Sequence, residues 1–102
     1  MTMQLKANEM VLKAGETQQI AGNSEVHGKL ILTNQRVYFK SKTAGKAMYD
    51  LELLFNQIKE VLFFRNRLLF PNGLKVVTRD GRELCFAIAS RNSWCEAIAR
   101  MC

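Results

Sequence analysis

The chain has 102 residues, of which 48% are hydrophobic and 24% are charged. This length and balance predict one folded domain, residues 1–102, with its own apolar core, and they exclude a disordered chain. Lys and Arg exceed Asp and Glu enough to give a net charge of +6, while the longest apolar run, Leu84 to Ala89, falls far short of the roughly 20 residues of a membrane-spanning helix.

The N-terminal residues and the cysteines indicate the compartment. Residues 1–13 mix polar and charged side chains with apolar ones, so they lack the apolar stretch of a secretory signal. Cys85, Cys95 and Cys102 are an odd number of thiols without a close pair, which argues against a disulfide framework. We therefore expect a cytoplasmic protein whose cysteines are reduced.

The region just before the first hairpin gives the weakest pattern in the chain. Residues 17–28 are polar, and only Ile20, Ala21 and Val26 are available for a core. Because neither apolar periodicity is sustained there, we expect this region to supply no more than an edge strand.

The segment 29–40 predicts a β-hairpin. Apolar residues alternate on both sides of the turn residues Asn34 and Gln35, which is typical of two antiparallel strands. A two-residue turn there pairs Leu30 with Phe39 and Leu32 with Val37 on one face. The same register brings Ile31 and Tyr38 together on the opposite face, where they meet a second layer or a partner.

The middle of the chain, residues 48–55 and 58–70, is expected to supply further strands, separated by polar breaks at 56–57 and 65–67. Residues 71–73, Pro-Asn-Gly, have the composition of a tight turn. A second hairpin follows over residues 74–88. Its alternation favours a three-residue connection, Arg79 to Gly81, which pairs Val76 with Leu84 and Leu74 with Phe86.

The C-terminal residues change from a strand period to a helical one. Trp94, Ala97, Ile98 and Met101 have the spacing of one helix face, and Ser90 or Ser93 is suited to the N-cap. We expect this helix to close one end of an antiparallel sandwich or barrel.

Catalytic and metal-binding patterns are missing from the sequence. The single histidine, His27, has no cysteine at metal-ligand spacing, and the six glycines match no phosphate-binding loop. We expect neither enzyme activity, nor a bound metal, nor a cofactor.

Basic residues near apolar ones are the remaining functional signal. The candidates for contact with an anionic surface are Lys40, Lys42, Lys46, Arg65 and Arg67. Such residues suit an anionic membrane or a phosphate backbone, although charges of this kind also serve solubility alone.

Two stretches of the sequence carry a resemblance to a known family. Residues 28–39, GKLILTNQRVYF, and 71–82, PNGLKVVTRDGR, resemble the GRAM domain. The resemblance implies a pleckstrin-homology-like fold: a bent antiparallel barrel or sandwich of about seven strands, capped by the C-terminal helix. It also implies a noncatalytic lipid-binding or protein-binding module. Residues 22–28 lack the basic cluster that phosphoinositide-binding relatives carry between their first two strands, so the implied lipid contact is weak and nonspecific.

The leading functional hypothesis is peripheral association with anionic phospholipid at the inner face of the membrane. The alternative is a protein-interaction or self-assembly domain, with Ile31 and Tyr38 as its interface and a protein partner or a homo-oligomer as the result. Weak nucleic-acid binding ranks third, because aromatic and basic residues do not interleave along one face.

Overall fold

The computed structural model describes residues 5–21, 24–42, 45, 49–66 and 70–102, with residues 64–66 and 70–72 described by their backbone only. The elements in chain order are β1 (Val11–Ala21), β2 (Ser24–Thr33), β3 (Arg36–Ser41), β4 (Leu51–Leu54), a 3₁₀ turn (Phe55–Gln57), β5 (Ile58–Asn66), β6 (Phe70–Thr78), β7 (Glu83–Ala87) and α1 (Arg91–Met101).

The seven strands form one antiparallel sheet in the order β4-β3-β2-β1-β7-β6-β5. The predicted antiparallel architecture with a C-terminal helix is confirmed, and so is the strand number that the resemblance implies. Within the described residues β4 and β5 are the edges, so the sheet is an open, bent sandwich rather than a closed barrel.

Both predicted hairpins have the expected register. Leu30 lies opposite Phe39 and Leu32 opposite Val37, which leaves Ile31 opposite Tyr38 on the other face. In the second hairpin Leu74 faces Phe86 and Val76 faces Leu84. The connection at residues 79–81 ends at Gly81, whose φ of 93° is the left-handed conformation that glycine favours.

The expectation of an edge strand in residues 17–28 is wrong. Residues 17–21 form the end of β1 and residues 24–28 the start of β2, both in the middle of the sheet, and β1 also pairs with β7 at Gln18, Gln19 and Ile20. The polar sequence is compatible with burial because the side chains find partners. Thr17 Oγ1 donates to the Ala87 carbonyl oxygen at 2.8 Å, and Gln19 Nε2 donates to the Tyr49 carbonyl oxygen at 3.4 Å.

Two segments that were predicted to separate strands lie inside strands instead. Residues 71–73 belong to β6 rather than to a tight turn, and Arg65 and Asn66 end β5 rather than forming a loop. Pro71 is tolerated because β6 pairs with β7 only from Gly73 onward, so the missing N–H of the proline removes no bond to β7.

The core lies between the two halves of the bent sheet and beneath α1. Leu30, Phe39, Leu74 and Phe86 are fully buried in it, and the Phe39 and Phe86 ring centroids are 5.7 Å apart. Trp94 and Ile98 bury one face of α1 in this core, as the helical spacing predicts. Gly28 permits this packing, since a Cβ there would collide with the Phe39 ring and the Lys40 carbonyl.

Candidate functional site

Lys40, the first predicted basic residue, lies in β3 and is held by a carboxylate. Its Nζ is 2.6 Å from Asp50 Oδ2, and both side chains are less than a fifth exposed. The backbone N–H of Ser41 donates to Asp50 Oδ1 at 2.7 Å. The hydrogen bond to Asp50 raises the pKa of Lys40. Lys40 is therefore a partly buried cation with its own counter-ion.

Lys42 follows β3 and is more accessible. Its backbone N–H donates to the His27 carbonyl oxygen at 2.9 Å, which places the residue beside the start of β2. Its Nζ is 2.5 Å from Glu16 Oε1, but the side chains are 54% and 66% exposed. The hydrogen bond from Lys42 lowers the pKa of Glu16. An exposed pair of this kind is weakly held and can exchange for another anion.

The structure describes less of the other three predicted basic residues. Lys46 and Arg67 lie outside the described residues, and Arg65 is described by its backbone, near the end of β5. Strands β2, β1, β7 and β6 lie between β3 and β5 in the sheet. The described contacts therefore do not bring Lys40 and Lys42 together with Arg65 in one cluster.

Ile31 and Tyr38, the predicted protein interface, are paired on the outer face of the β2–β3 hairpin and are half-buried. The Arg36 guanidinium lies 5.4 Å from the Tyr38 ring centroid, within the range of a cation–π contact. The pair is accessible on the sheet surface, and its role as an interface stays a prediction.

A buried ion pair between Arg36 and Glu9 lies beside this surface. The sequence alone did not predict it. Arg36 Nε and Nη2 donate to Glu9 Oε2 and Oε1 at 2.9 and 3.0 Å, and Thr33 Oγ1 donates to Glu9 Oε2 at 2.6 Å. The Glu9 side chain is fully buried and that of Arg36 is 5% exposed. The hydrogen bond from Arg36 outweighs the effect of burial and lowers the pKa of Glu9 to about 2.

The β2–β3 turn holds the N-terminal segment by further hydrogen bonds. Asn34 Oδ1 accepts from the Met10 N–H at 2.8 Å, and Asn34 Nδ2 donates to the Asn8 carbonyl oxygen at 3.0 Å. Gln35 Nε2 donates to the Ala7 carbonyl oxygen at 2.9 Å. We call residues 33–36, with Glu9, the N-terminal clamp. The Thr-Asn-Gln-Arg run marks it in the sequence, where it predicts a turn and carries part of the resemblance to the GRAM domain but does not indicate a contact with Glu9.

Two of the three cysteines, Cys85 and Cys102, are not activated thiols. Cys85, Cys95 and Cys102 are free thiols, and burial raises the pKa of the Cys85 and Cys102 thiols. A raised pKa keeps a thiol protonated and therefore poorly nucleophilic.

Among the residues that the structure describes, no helix is both long and apolar enough to cross a bilayer.

Solved structures with this fold are pleckstrin-homology (PH) domains and related modules. The C-terminal domain of an unknown protein from Leishmania infantum is 19% identical over 93% of this chain and 85% of that chain, with a TM-score of 0.80. The Vps36 N-terminal PH domain is 16% identical over 96% and 82%, with a TM-score of 0.75. The Slm1 PH domain in complex with phosphoserine is 18% identical over 89% and 94%, with a TM-score of 0.70. At these identities the similarity shows a PH-like fold.

The chain belongs to the GRAM domain family, whose model matches residues 2–100. No curated protein sequence matches the chain significantly. GRAM and PH-like domains are in general noncatalytic modules that bind lipids or other proteins.

Proposed function

We propose that this GRAM domain associates peripherally with anionic membrane lipid. The observation that carries the proposal is a net charge of +6 on a PH-like fold of this family. Each Lys or Arg near an anionic membrane surface contributes about 1 kcal/mol of attraction. A modest basic excess is therefore sufficient for weak binding.

The chemistry of one structural neighbour supports the same class of ligand. The Slm1 PH domain has been solved with phosphoserine and with inositol 4-phosphate. Both molecules carry the phosphate-ester chemistry of anionic lipid headgroups. The proposal extends that chemistry to this chain as an analogy of fold.

The residues proposed to meet the lipid are those of the basic set, Lys40, Lys42, Lys46, Arg65 and Arg67. Lys42 is the better contact of the two lysines whose side chains are described, because its pair with Glu16 is exposed. Lys40 contributes less, since a lipid phosphate would have to displace the partly buried Asp50. We therefore expect weak binding without headgroup specificity.

Co-sedimentation with vesicles tests the proposal. The protein should sediment with phosphatidylserine–phosphatidylcholine vesicles at low salt and much less with pure phosphatidylcholine. Raising the salt from 0.1 M to 1 M shortens the Debye length from about 10 Å to about 3 Å, so the bound fraction should fall. If the unmutated protein fails to sediment with the anionic vesicles at low salt, the proposal is wrong and the protein-interaction alternative at Ile31 and Tyr38 is favoured.

A charge-matched pair of variants tests the proposed residues. Arg65→Glu with Arg67→Glu should weaken sedimentation more than Arg79→Glu with Arg82→Glu, which makes the same charge change on the β6–β7 connection. Equal losses in the two double variants would show that net charge alone drives binding and that the site is not local.

A further inference from the structure

Large apolar side chains are exposed at the start of β1. Met10, Val11 and Leu12 are 62%, 44% and 50% exposed, and Leu5 in the preceding segment is 51% exposed. We call Met10, Val11 and Leu12 the apolar ridge. Three consecutive exposed apolar residues on a small domain are a candidate contact surface for a membrane or a protein.

A β-bulge explains why consecutive residues of one strand are exposed together. Val11 lies opposite Thr33 and Lys13 opposite Leu32, so Leu12 is an extra residue in β1. A bulge interrupts the alternation of side chains between the two faces and re-aims the bulged residue. Strand β7 pairs with β1 only at residues 18–20, so within the described residues no strand pairs with this part of β1 on its other side.

A groove of about 290 Å³ lies between this free part of β1 and α1. Leu12 and Leu32 line it from the sheet, and Ala97 and Met101 line it from the helix. Its volume is at the low end of the range for small-ligand sites. The groove is therefore suited to part of a molecule, such as a headgroup or a segment of an acyl chain.

Basic side chains flank the apolar walls. Lys13 and Arg100 line the groove from opposite sides, with Glu96 as the acidic residue among the lining side chains. Lys13 Nζ lies 5.4 Å from the Trp94 ring centroid, a cation–π distance that keeps the ammonium group at the groove. The lining residues carry a net positive charge, which complements an anionic ligand.

The N-terminal clamp fixes the ridge before any ligand binds. The Met10 N–H donates to Asn34 Oδ1, and the Asn34 N–H donates to the Met10 carbonyl oxygen at 3.0 Å. Glu9, the neighbouring residue, is fixed by Arg36. A preorganised surface loses little conformational entropy on binding.

We propose that the apolar ridge inserts into the headgroup region of an anionic bilayer, with Lys13 and Arg100 placed to contact lipid phosphates. Apolar insertion combined with cationic contacts is the usual arrangement of a peripheral membrane surface. The inference rests on the proposed lipid association and adds a second contact surface to the basic set. That surface is separate from Lys42, which lies six residues beyond Arg36, a distance of about 20 Å along an extended strand.

Matched double variants test this surface by co-sedimentation with phosphatidylserine–phosphatidylcholine vesicles at 0.1 M salt. Met10→Ser with Leu12→Ser should reduce the vesicle partition coefficient about tenfold, because two inserted apolar side chains are lost. Leu54→Ser with Leu62→Ser removes two other exposed apolar residues, 37% and 41% exposed, from the edge strands. This control should stay within about twofold of the unmutated protein.

A second comparison tests the cationic contacts without changing the ridge. Lys13→Gln with Arg100→Gln should weaken binding more than Lys59→Gln with Arg79→Gln, which removes the same charge elsewhere. If the unmutated protein binds but the Met10–Leu12 double variant partitions as the unmutated protein does, the ridge proposal is wrong and the general lipid proposal stands. If the unmutated protein does not bind, both proposals fail.

Discussion

At the scale of single residues, the buried pair of Glu9 and Arg36 is the most consequential contact. Arg36 also donates from Nη1 to Glu52, and Lys6 Nζ lies 3.6 Å from Glu52 Oε1, so four charged side chains join three segments of the chain. Breaking a buried pair by removing one partner is strongly destabilising, because the remaining charge is left without compensation. Arg36 retains Glu52 when Glu9 is lost, which moderates the effect.

We predict that Glu9→Gln lowers the free energy of unfolding at pH 7 by about 2 kcal/mol. The pKa of Glu9 is lowered from 4.5 to about 2 in the folded state. Its stabilising contribution is therefore complete above pH 4.5 and is lost as the pH falls toward 2. Urea unfolding should be measured between pH 7 and pH 2. Over this range, the free energy of unfolding should fall less in Glu9→Gln than in the unmutated protein.

Glu60→Gln is the control, because Glu60 is exposed on β5. It should leave both the stability at pH 7 and the acid profile nearly unchanged. Identical acid profiles for Glu9→Gln and the unmutated protein would contradict the assignment of Glu9.

The sequence could not have identified this ion pair. Glu9 and Arg36 are 27 residues apart, and no periodicity links a charged residue before one strand to another after a turn. The same limit applies to the basic set, for which sequence spacing does not reveal that Lys40 and Lys42 already have carboxylate partners.

At the scale of elements, the β2–β3 hairpin shows what alternation can predict. Its turn position and register followed from the apolar pattern, because one face of the hairpin is buried and a one-residue slip would expose that whole face. Leu32 is 1% exposed in the core, whereas Ile31 lies half-buried on the outer face.

We predict that Leu32→Ala destabilises the protein by about 3 kcal/mol, whereas Ile31→Ala costs about 1 kcal/mol or less. The larger effect follows from the cavity that Leu32 leaves in the core, opposite Val37. Thermal unfolding monitored by circular dichroism measures both variants. Equal shifts in melting temperature would show that the two faces of the hairpin are assigned wrongly.

Alternation failed where a strand buries polar groups or contains a bulge. Thr17 and Gln19 are buried in β1 through hydrogen bonds to carbonyl oxygens of distant residues. The Leu12 bulge and the irregular pairing between Phe64 and Asn66 also break the period of two. Such features depend on the neighbouring strand, which a local pattern does not contain.

At the scale of the whole molecule, β1 connects two sets of strands. It pairs with β2 from Val11 to Ala21 but with β7 only at Gln18, Gln19 and Ile20. In the described part of the chain, this short ladder alone joins β4-β3-β2-β1 to β7-β6-β5 by backbone hydrogen bonds between strands. The strand number came from the resemblance to the GRAM domain. The strand order was not predicted, because pairing between distant strands leaves no local signal.

The short β1–β7 ladder has a consequence for how the native protein opens. Native-state hydrogen exchange should show that amides in this ladder exchange through a partial opening, at a lower free energy than those of β2–β3 and β6–β7. The two strand sets would then behave as separate cooperative units that part at Gln18 to Ile20. Exchange of all three ladders at the free energy of global unfolding would show instead that the sheet opens only as a whole.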